Sequence, residues 1–314
     1  MTALTDVHVL ITGGAGFIGS HLTEDLLSLG AKVTVVDNLS TGKRANLPTH
    51  PHLRLLVKDI NTCQPQDFEH PVHKIVHLAA TPSVATSWQA PLTAHHQNLS
   101  STLAVIQLCE ALAVSGLVFA SSAAVYGNLQ YQPVGEDHPT CPISPYGLQK
   151  LASEQYAQLF APQLGFTFVG LRLFNVYGIR QDPHSPYSGV ISIFADAMRQ
   201  GQAIMLYGTG AQTRDFIFVK DVSLGIIQAL TLAQLPGAAL IFNLGTGQAI
   251  SLLTLVQELQ TCFPQWPCEI YWEPARPGDI QHSQANIAQA KAQLQFAPQW
   301  SLQAGLRHWV NAMR

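Results

Sequence analysis

Residues 11–20 read ITGGAGFIGS, with glycines at positions 13, 16 and 19. The apolar run VHVLIT (7–12) precedes them, and FIGSHLTEDLLSLG follows with helical periodicity and Gly30 as its stop. The glycines therefore occupy the turn from a strand into a helix, and that position says more than the pattern. Gly13 can make the tight turn, Gly16 lets the backbone approach a pyrophosphate at the positive helix end, and Gly19 permits close helix packing. Phe17 and Ile18 belong to the same first turn. A second strand, KVTVVD (32–37), closes on Asp37, where a carboxylate accepts hydrogen bonds from both hydroxyls of an adenosine ribose. The same charge repels a 2′-phosphate, so NAD is expected in preference to NADP, although Lys43 and Arg44 lie just downstream. The competing reading of Asp37 is a cap for the turn DNLSTG, which it opens together with Asn38.

Outward from this βαβ unit, strands are expected at LRLLVKDI (53–60), KIVHLAA (74–80), LVFASS (117–122) and TFVGLRLFN (167–175), with helices near 91–115 and 146–163. Apolar strands alternating with helices predict an α/β fold, a doubly wound parallel (Rossmann) sheet over residues 1–175 that later segments complete. After Asn175 the chain becomes loop-rich, VYGIRQDPHSPYSG, then breaks into short elements as in CFPQWPCEIYWEPARPGD. Residues 176–314 are read mainly as a smaller α/β substrate-binding lobe over the carboxyl ends of the strands, where ligands bind in such folds.

Composition narrows the partners. Only 11% of residues are charged and the net charge is −3, so no nucleic-acid footprint of clustered Lys and Arg is present. The five cysteines are odd in number and form no C-x-x-C pair, which argues for reduced thiols and against a disulfide framework or zinc cluster. The thirteen histidines are scattered, apart from His95 and His96, which face different ways on a helix; no metal is expected. With no signal-like N-terminus and no apolar run of about 18 residues, the expectation is a cytoplasmic protein with no membrane span.

SPYGLQK (144–150) raises a different question. In a helix starting behind Pro145, Tyr146 and Lys150 stack on one face, because i and i+4 are neighbours. A phenol beside an ammonium is a candidate acid/base pair: free tyrosine titrates near 10, and a cation one turn away favours its phenolate. The alternative is a surface tyrosine with a solvated lysine.

The motifs TGGAGFIGSHL, VVDNLSTGK, KDI, VHLAA, FASSAAVYG, SPYGLQK, LRLFNVYG, QTRDFIFVKDV and RPGD run the length of the chain. Together they resemble the extended short-chain dehydrogenases/reductases, within them the NAD-dependent epimerase/dehydratase family, and in it the nucleotide-sugar 4-epimerases typified by UDP-glucose 4-epimerase. The resemblance implies tightly bound NAD, with Asp59 and Ile60 beside the adenine and Leu78, Ala79 and Ala80 along the middle of the cofactor. Asn98 would support the cofactor loop, or simply bond neighbouring backbone. Tyr146 would exchange the proton of the sugar 4-hydroxyl, Lys150 would assist it, and Ser122 would bond the 4-oxygen, with Ser121 facing the opposite side of the strand. Tyr126 would shape the pocket. Dehydratases of the family carry an Asp-Glu pair, and decarboxylases a Glu, where this chain has Ala123 and Ala124; alanine moves no proton, so simple C4 epimerisation keeps its machinery while those reactions lose theirs. A nucleotide-sugar dehydrogenase or reductase of the same fold, or a UDP-glucuronate 4-epimerase, remain alternatives.

On the substrate side the resemblance assigns Asn175, Arg214, Arg276 and Asp279 to the diphosphate and ribose of a UDP-sugar, and Tyr207 to the uracil. Two arginines match the roughly two negative charges of a diphosphate. Ser283, four residues after Asp279, would gate the space beside the sugar 2-substituent, where a serine leaves room for an N-acetyl group; its other reading is the N-cap of the helix SQANIAQAKAQL. A homodimer through a four-helix bundle of the helices near 91–115 and 146–163 is also implied.

Overall fold

The computed structural model describes residues 4–182, 189–233, 235–275 and 280–312. The first half of the chain runs β1 (His8–Thr12), α1 (Phe17–Ser28), β2 (Lys32–Asp37), β3 (Leu53–Val57), β4 (Lys74–His77), α2 (Val84–Gln89), α3 (Pro91–His95), α4 (Ser101–Ala111), β5 (Gly116–Ser122), α5 (Pro145–Leu164) and β6 (Thr167–Leu173). The second half adds β7 (Asn175–Tyr177), α6 (Val190–Arg199), β8 (Ile204–Tyr207), β9 (Thr213–Arg214), β10 (Phe216–Phe218), α7 (Val219–Leu232), β11 (Ala239–Leu244), β12 (Ile250–Ser251), α8 (Leu252–Cys262), β13 (Ile270–Glu273) and α9 (Leu302–Ala312).

Seven strands form one parallel sheet in the order β11-β6-β5-β4-β1-β2-β3. Its inner strands are continuous apolar runs because helices cover both faces. Leu22 and Leu26 of α1 and Ile226 and Leu230 of α7 pack against one face; Val105 and Ile106 of α4 and Ala157 and Ala161 of α5 pack against the other. Strand order reverses between β1 and β4, which opens a crevice at their carboxyl ends.

The helix expected near 91–115 is α3 and α4 joined through a π-helical turn, His96–Ser100, and it ends at Ala111. The later segments that complete the sheet are α7 and β11, which pairs with β6. Three two-stranded ladders, β7 with β10, β8 with β13 and β9 with β12, build the smaller lobe together with α6, α8 and α9. Its separate core includes Phe194, Met198, Leu206, Leu255, Leu259 and Trp309.

Asp215, between β9 and β10 and fully buried, knits this lobe. Its carboxylate accepts from Thr246 N and Oγ1, both at 2.7 Å, Gly247 N at 2.9 Å and Ala285 N at 3.1 Å. Burial pushes the carboxyl pKa up while these donors pull it down. Asp215→Asn sets an NH2 donor against backbone donors; a loss of about 3 kcal/mol of stability is expected, read from urea unfolding.

Candidate active site

A cleft of about 800 Å³ opens at the strand reversal. Gly13, Gly16, Phe17, Ile18, Gly19, Asp37, Asn38, Asp59, Ile60, Leu78, Ala79, Ala80, Ser122, Tyr146, Lys150 and Asn175 all line it, although they come from seven separate stretches of chain. Gly13 adopts φ +70° in the turn after β1, and its N–H donates to Val36 O at 2.8 Å. Gly19 lies where any side chain would collide: a Cβ there would stand 2.3 Å from Gly13 O. Gly16 caps α1 with no side-chain partner, so the first N–H groups of that helix remain available to an anion.

Asp37 is buried at the end of β2. Its Oδ2 accepts from Ala15 N at 2.9 Å and its Oδ1 from Leu39 N at 2.8 Å. The capping role and the ribose role are thus compatible, since each carboxylate oxygen keeps a second lone pair toward the cleft. The turn without side chains, the open helix end and this buried carboxylate fit a dinucleotide.

Across the crossing, Ser144 caps α5 by accepting from Gly147 N at 3.1 Å, and Pro145 takes the first helical position. That start places Tyr146 and Lys150 on the face turned to β5, both buried. Lys150 Nζ donates to Ala120 O at 2.8 Å and lies 4.7 Å from the Phe119 ring centroid. Burial pushes Lys150 down to about 7, with Glu154 pulling it back up. Burial raises the Tyr146 phenol, and the Ser122 hydroxyl beside it lowers it. Ser122 also caps the turn after β5, accepting from Ala124 N at 3.2 Å, while its hydroxyl stays on the cleft wall.

Other assignments land elsewhere. Asn98 is buried behind the cleft wall, in the π-helical turn; its Oδ1 accepts from Thr81 N at 2.8 Å and its Nδ2 donates to Gln149 Oε1 at 2.7 Å. It holds the loop after β4 and does not line the cleft. Tyr126 is a core residue, donating to Asn243 Oδ1 at 2.6 Å, and not part of the pocket wall. Tyr207 on β8 donates to Met205 Sδ at 3.1 Å, and Arg214 on β9 donates to Thr213 O at 2.8 Å; neither lines the cleft. Arg276 and Asp279 lie outside the described residues. Ser283 is buried and does not cap a helix: the helical turn begins at residue 288, where Asn286 Oδ1 accepts from Ala288 N at 3.0 Å. The N-cap reading fails because residues 283–287 are not helical, with Ala285 held in an isolated parallel bridge to Val134.

The cleft also holds residues that motif reading passed over. Thr81 donates to Gln97, and Ser101 Oγ donates to Gln97 O at 2.7 Å. Arg180 and Asp182 face the cofactor turn from the smaller lobe, with Lys43 Nζ 3.6 Å from Asp182 across the mouth. Gln97 and Ser101 were findable as the residues before and one turn after Asn98. Among the described residues, no helix is long and apolar enough to cross a membrane, and no group of three His, Cys, Asp or Glu side chains is placed to hold a metal ion.

A Gly-rich turn, a ribose carboxylate and a Tyr/Lys/Ser set in one doubly wound fold define an extended short-chain dehydrogenase/reductase. The chain belongs to the NAD dependent epimerase/dehydratase family, whose model matches residues 9–245. It is 35% identical over 308 residues to a putative UDP-glucose 4-epimerase of Methanocaldococcus jannaschii, covering 98% of each chain. A UDP-N-acetylglucosamine 4-epimerase from Methanobrevibacter ruminantium M1, solved with UDP-N-acetylmuramic acid, superposes with a TM-score of 0.92 at 33% identity over 99% of both chains. The UDP-glucose 4-epimerase of Thermus thermophilus, solved with NAD, gives 0.86 at 34% identity over 97% of this chain and 98% of that one.

Gly19→Ala is expected to yield a folded protein that purifies with at most about a tenth of the wild-type nucleotide, because the close approach of the turn is lost; cofactor released by acid and quantified by chromatography checks this.

Proposed function

We propose that this chain interconverts UDP-linked hexoses by inversion at C4, with NAD retained through each cycle. The observation that carries the reading is the meeting of Ser122, Tyr146 and Lys150 at the carboxyl end of β5, in the same cleft as the glycine turn and Asp37. Bound NAD supplies a reversible two-electron acceptor. Tyr146 takes the proton of the 4-hydroxyl and later returns it; the Lys150 ammonium one turn away favours the phenolate this requires, and Ser122 orients the 4-oxygen. Ala123 and Ala124 follow Ser122 in the turn and offer no group to move a proton at a neighbouring carbon. The chemistry therefore stops at the 4-keto sugar, which can only be reduced again. Tyr146→Phe is expected to keep bound NAD while kcat falls on the order of 10³-fold, in a coupled assay that starts from UDP-galactose. Steady net NADH formation from a UDP-sugar would instead indicate a dehydrogenase.

For the nucleotide we assign Asn175, Arg214, Arg276 and Asp279 to the diphosphate and ribose and Tyr207 to the uracil, supported by the family motifs that contain them. For the sugar we propose that both the UDP-glucose/UDP-galactose pair and the N-acetylhexosamine pair are accepted, Ser283 leaving room for the acetamide. Ser283→Tyr should then reduce kcat/KM for the N-acetylated pair about tenfold more than for the unsubstituted pair, and an equal fall for both removes Ser283 as the gate.

A homodimer in the cytoplasm completes the proposal. Five free thiols suit a reducing compartment. The outward faces of α2, α3 and α5 expose Trp88, Leu92, Leu148, Leu159 and Phe160, with Leu92 at 86% and Leu159 at 67%, an apolar surface of the kind that marks an interface. Leu92→Glu with Leu159→Glu is expected to sediment as a monomer where the wild type sediments as a dimer.

A further inference from the structure

The face of α5 that carries Tyr146 and Lys150 continues one turn further to Glu154, whose residue is only 1% exposed. A carboxylate so enclosed needs partners. Arg172 on β6 donates to it through Nη2 at 2.8 Å and Nε at 3.1 Å, and Ser121 on β5 donates to the same group. Arg172 is held in turn: its guanidinium lies 4.8 Å from the Tyr126 ring centroid, and its Nη1 donates to Glu136 O at 3.3 Å. Asn243 on β11 closes the network, accepting from the Tyr126 hydroxyl and donating its N–H to Glu136 Oε1 at 2.7 Å.

Two successive residues of β5 are thereby tied to α5 immediately before Ser122. Ala120 is tied through Lys150, and Ser121 through Glu154. We propose that Glu154, clamped by Arg172, is the positioning residue of the acid/base pair: it fixes the end of β5 against α5 so that Ser122 meets Tyr146, and its charge keeps the Lys150 ammonium ionised beneath the phenol. This rests on the assignment of proton transfer to Tyr146 and Lys150.

The groups around Lys150 give the sign. Tyr146 and Glu154 face it from α5, the Phe119 ring and the Ala120 carbonyl from β5, and neutral His77 from β4, while Arg172 stands behind Glu154 on β6. Glu154 is the acid that acts on Lys150. Without its charge the ammonium loses its anionic neighbour and Arg172 is no longer masked, and both effects deprotonate Lys150; Tyr146 then loses the cation one turn away, which outweighs the relief from a carboxylate two turns away, and its phenolate becomes harder to form.

The test is Glu154→Gln, which keeps the shape of the side chain, studied as NAD-loaded protein beside the double variant Glu154→Gln/Arg172→Gln, which leaves no buried guanidinium without its carboxylate and so guards against a folding failure. NAD content and KM should stay within about twofold of wild type, since Glu154 lies outside the cleft. At pH 7 kcat should fall about tenfold, and the acid limb of its pH profile should move up by about one pH unit. The ultraviolet tyrosinate band, taken as the difference from Tyr146→Phe, should titrate later by the same amount. An unchanged kcat, or a uniform fall at every pH with the tyrosinate titration unmoved, overturns the proposal. Lys150→Met separates the two layers: if it retains full activity the catalytic assignment itself is wrong, whereas if it is inactive while Glu154→Gln behaves as wild type, only the role of Glu154 falls.

Discussion

A positive charge almost wholly withdrawn from water governs the site. The Lys150 ammonium is enclosed by the Phe119 ring, the Ala120 carbonyl and the body of α5. Removing an ammonium from water is unfavourable, and a lysine so enclosed in a cleft is a functional-site candidate on that ground. Desolvation brings Lys150 into the neutral range, to about 7, and raises Tyr146. Burial thus drives the two apart, so the phenolate that the proposed reaction needs depends on the ammonium standing charged beside it. In the proposed reaction, everything that places α5 therefore bears on catalysis. Gly147 is the sharpest case: a Cβ at that position would stand 2.5 Å from Ala124 O, so the helix start can approach the turn after Ser122 only because no side chain intervenes.

The cofactor side follows the same logic with the opposite sign. Backbone N–H groups at the start of α1 and the close turn at Gly13 and Gly19 favour anionic phosphate, while the Asp37 carboxylate waits a strand away for hydroxyls. Neither part needs to move when its ligand arrives, because each is already bonded into the backbone: Asp37 by two N–H groups and the turn by Val36 O. Such preorganisation suits a cofactor that stays bound while the substrate exchanges.

Legibility in the sequence tracked how local the determining physics is. The glycine turn, Asp37, the Tyr146/Lys150 pair and the end of β5 are set by spacing within one or two elements, and the cleft collects them as that spacing implies. Asn98 carried a less specific signal. A buried asparagine can bond ligand or loop, and only the π-helical turn that aims it at Thr81 shows which it does. Which later segment completes the sheet is not legible, because the run ALIFNL after Pro236 and Gly237 has no periodicity that ties it to β6, whose paired residues lie seventy-one positions earlier. Ser283 fails as a cap for a similar reason: a serine before a run of helix formers suggests a helix start, yet a bridge to the distant Val134 takes up Ala285 and the helical turn begins only at residue 288.

The same limit explains why Glu154 escaped motif reading although it stands in plain register with Tyr146 and Lys150. At i, i+4 and i+8 the three share one helical face, but a glutamate on a helix is ordinarily solvated, and nothing local marks this one as buried. Its meaning comes from Arg172, eighteen residues on and in a different element, and from Ser121, which the same strand turns away from Ser122. The strand alternation that sends one serine to the cleft and its neighbour to the interior serves two ends in the proposed reaction: a hydroxyl for the reacting oxygen, and a second hydroxyl for the carboxylate that ties the strand to α5. A protein using only the first would have a catalytic serine on an untethered strand end, and reversible chemistry at a single carbon tolerates little of that freedom.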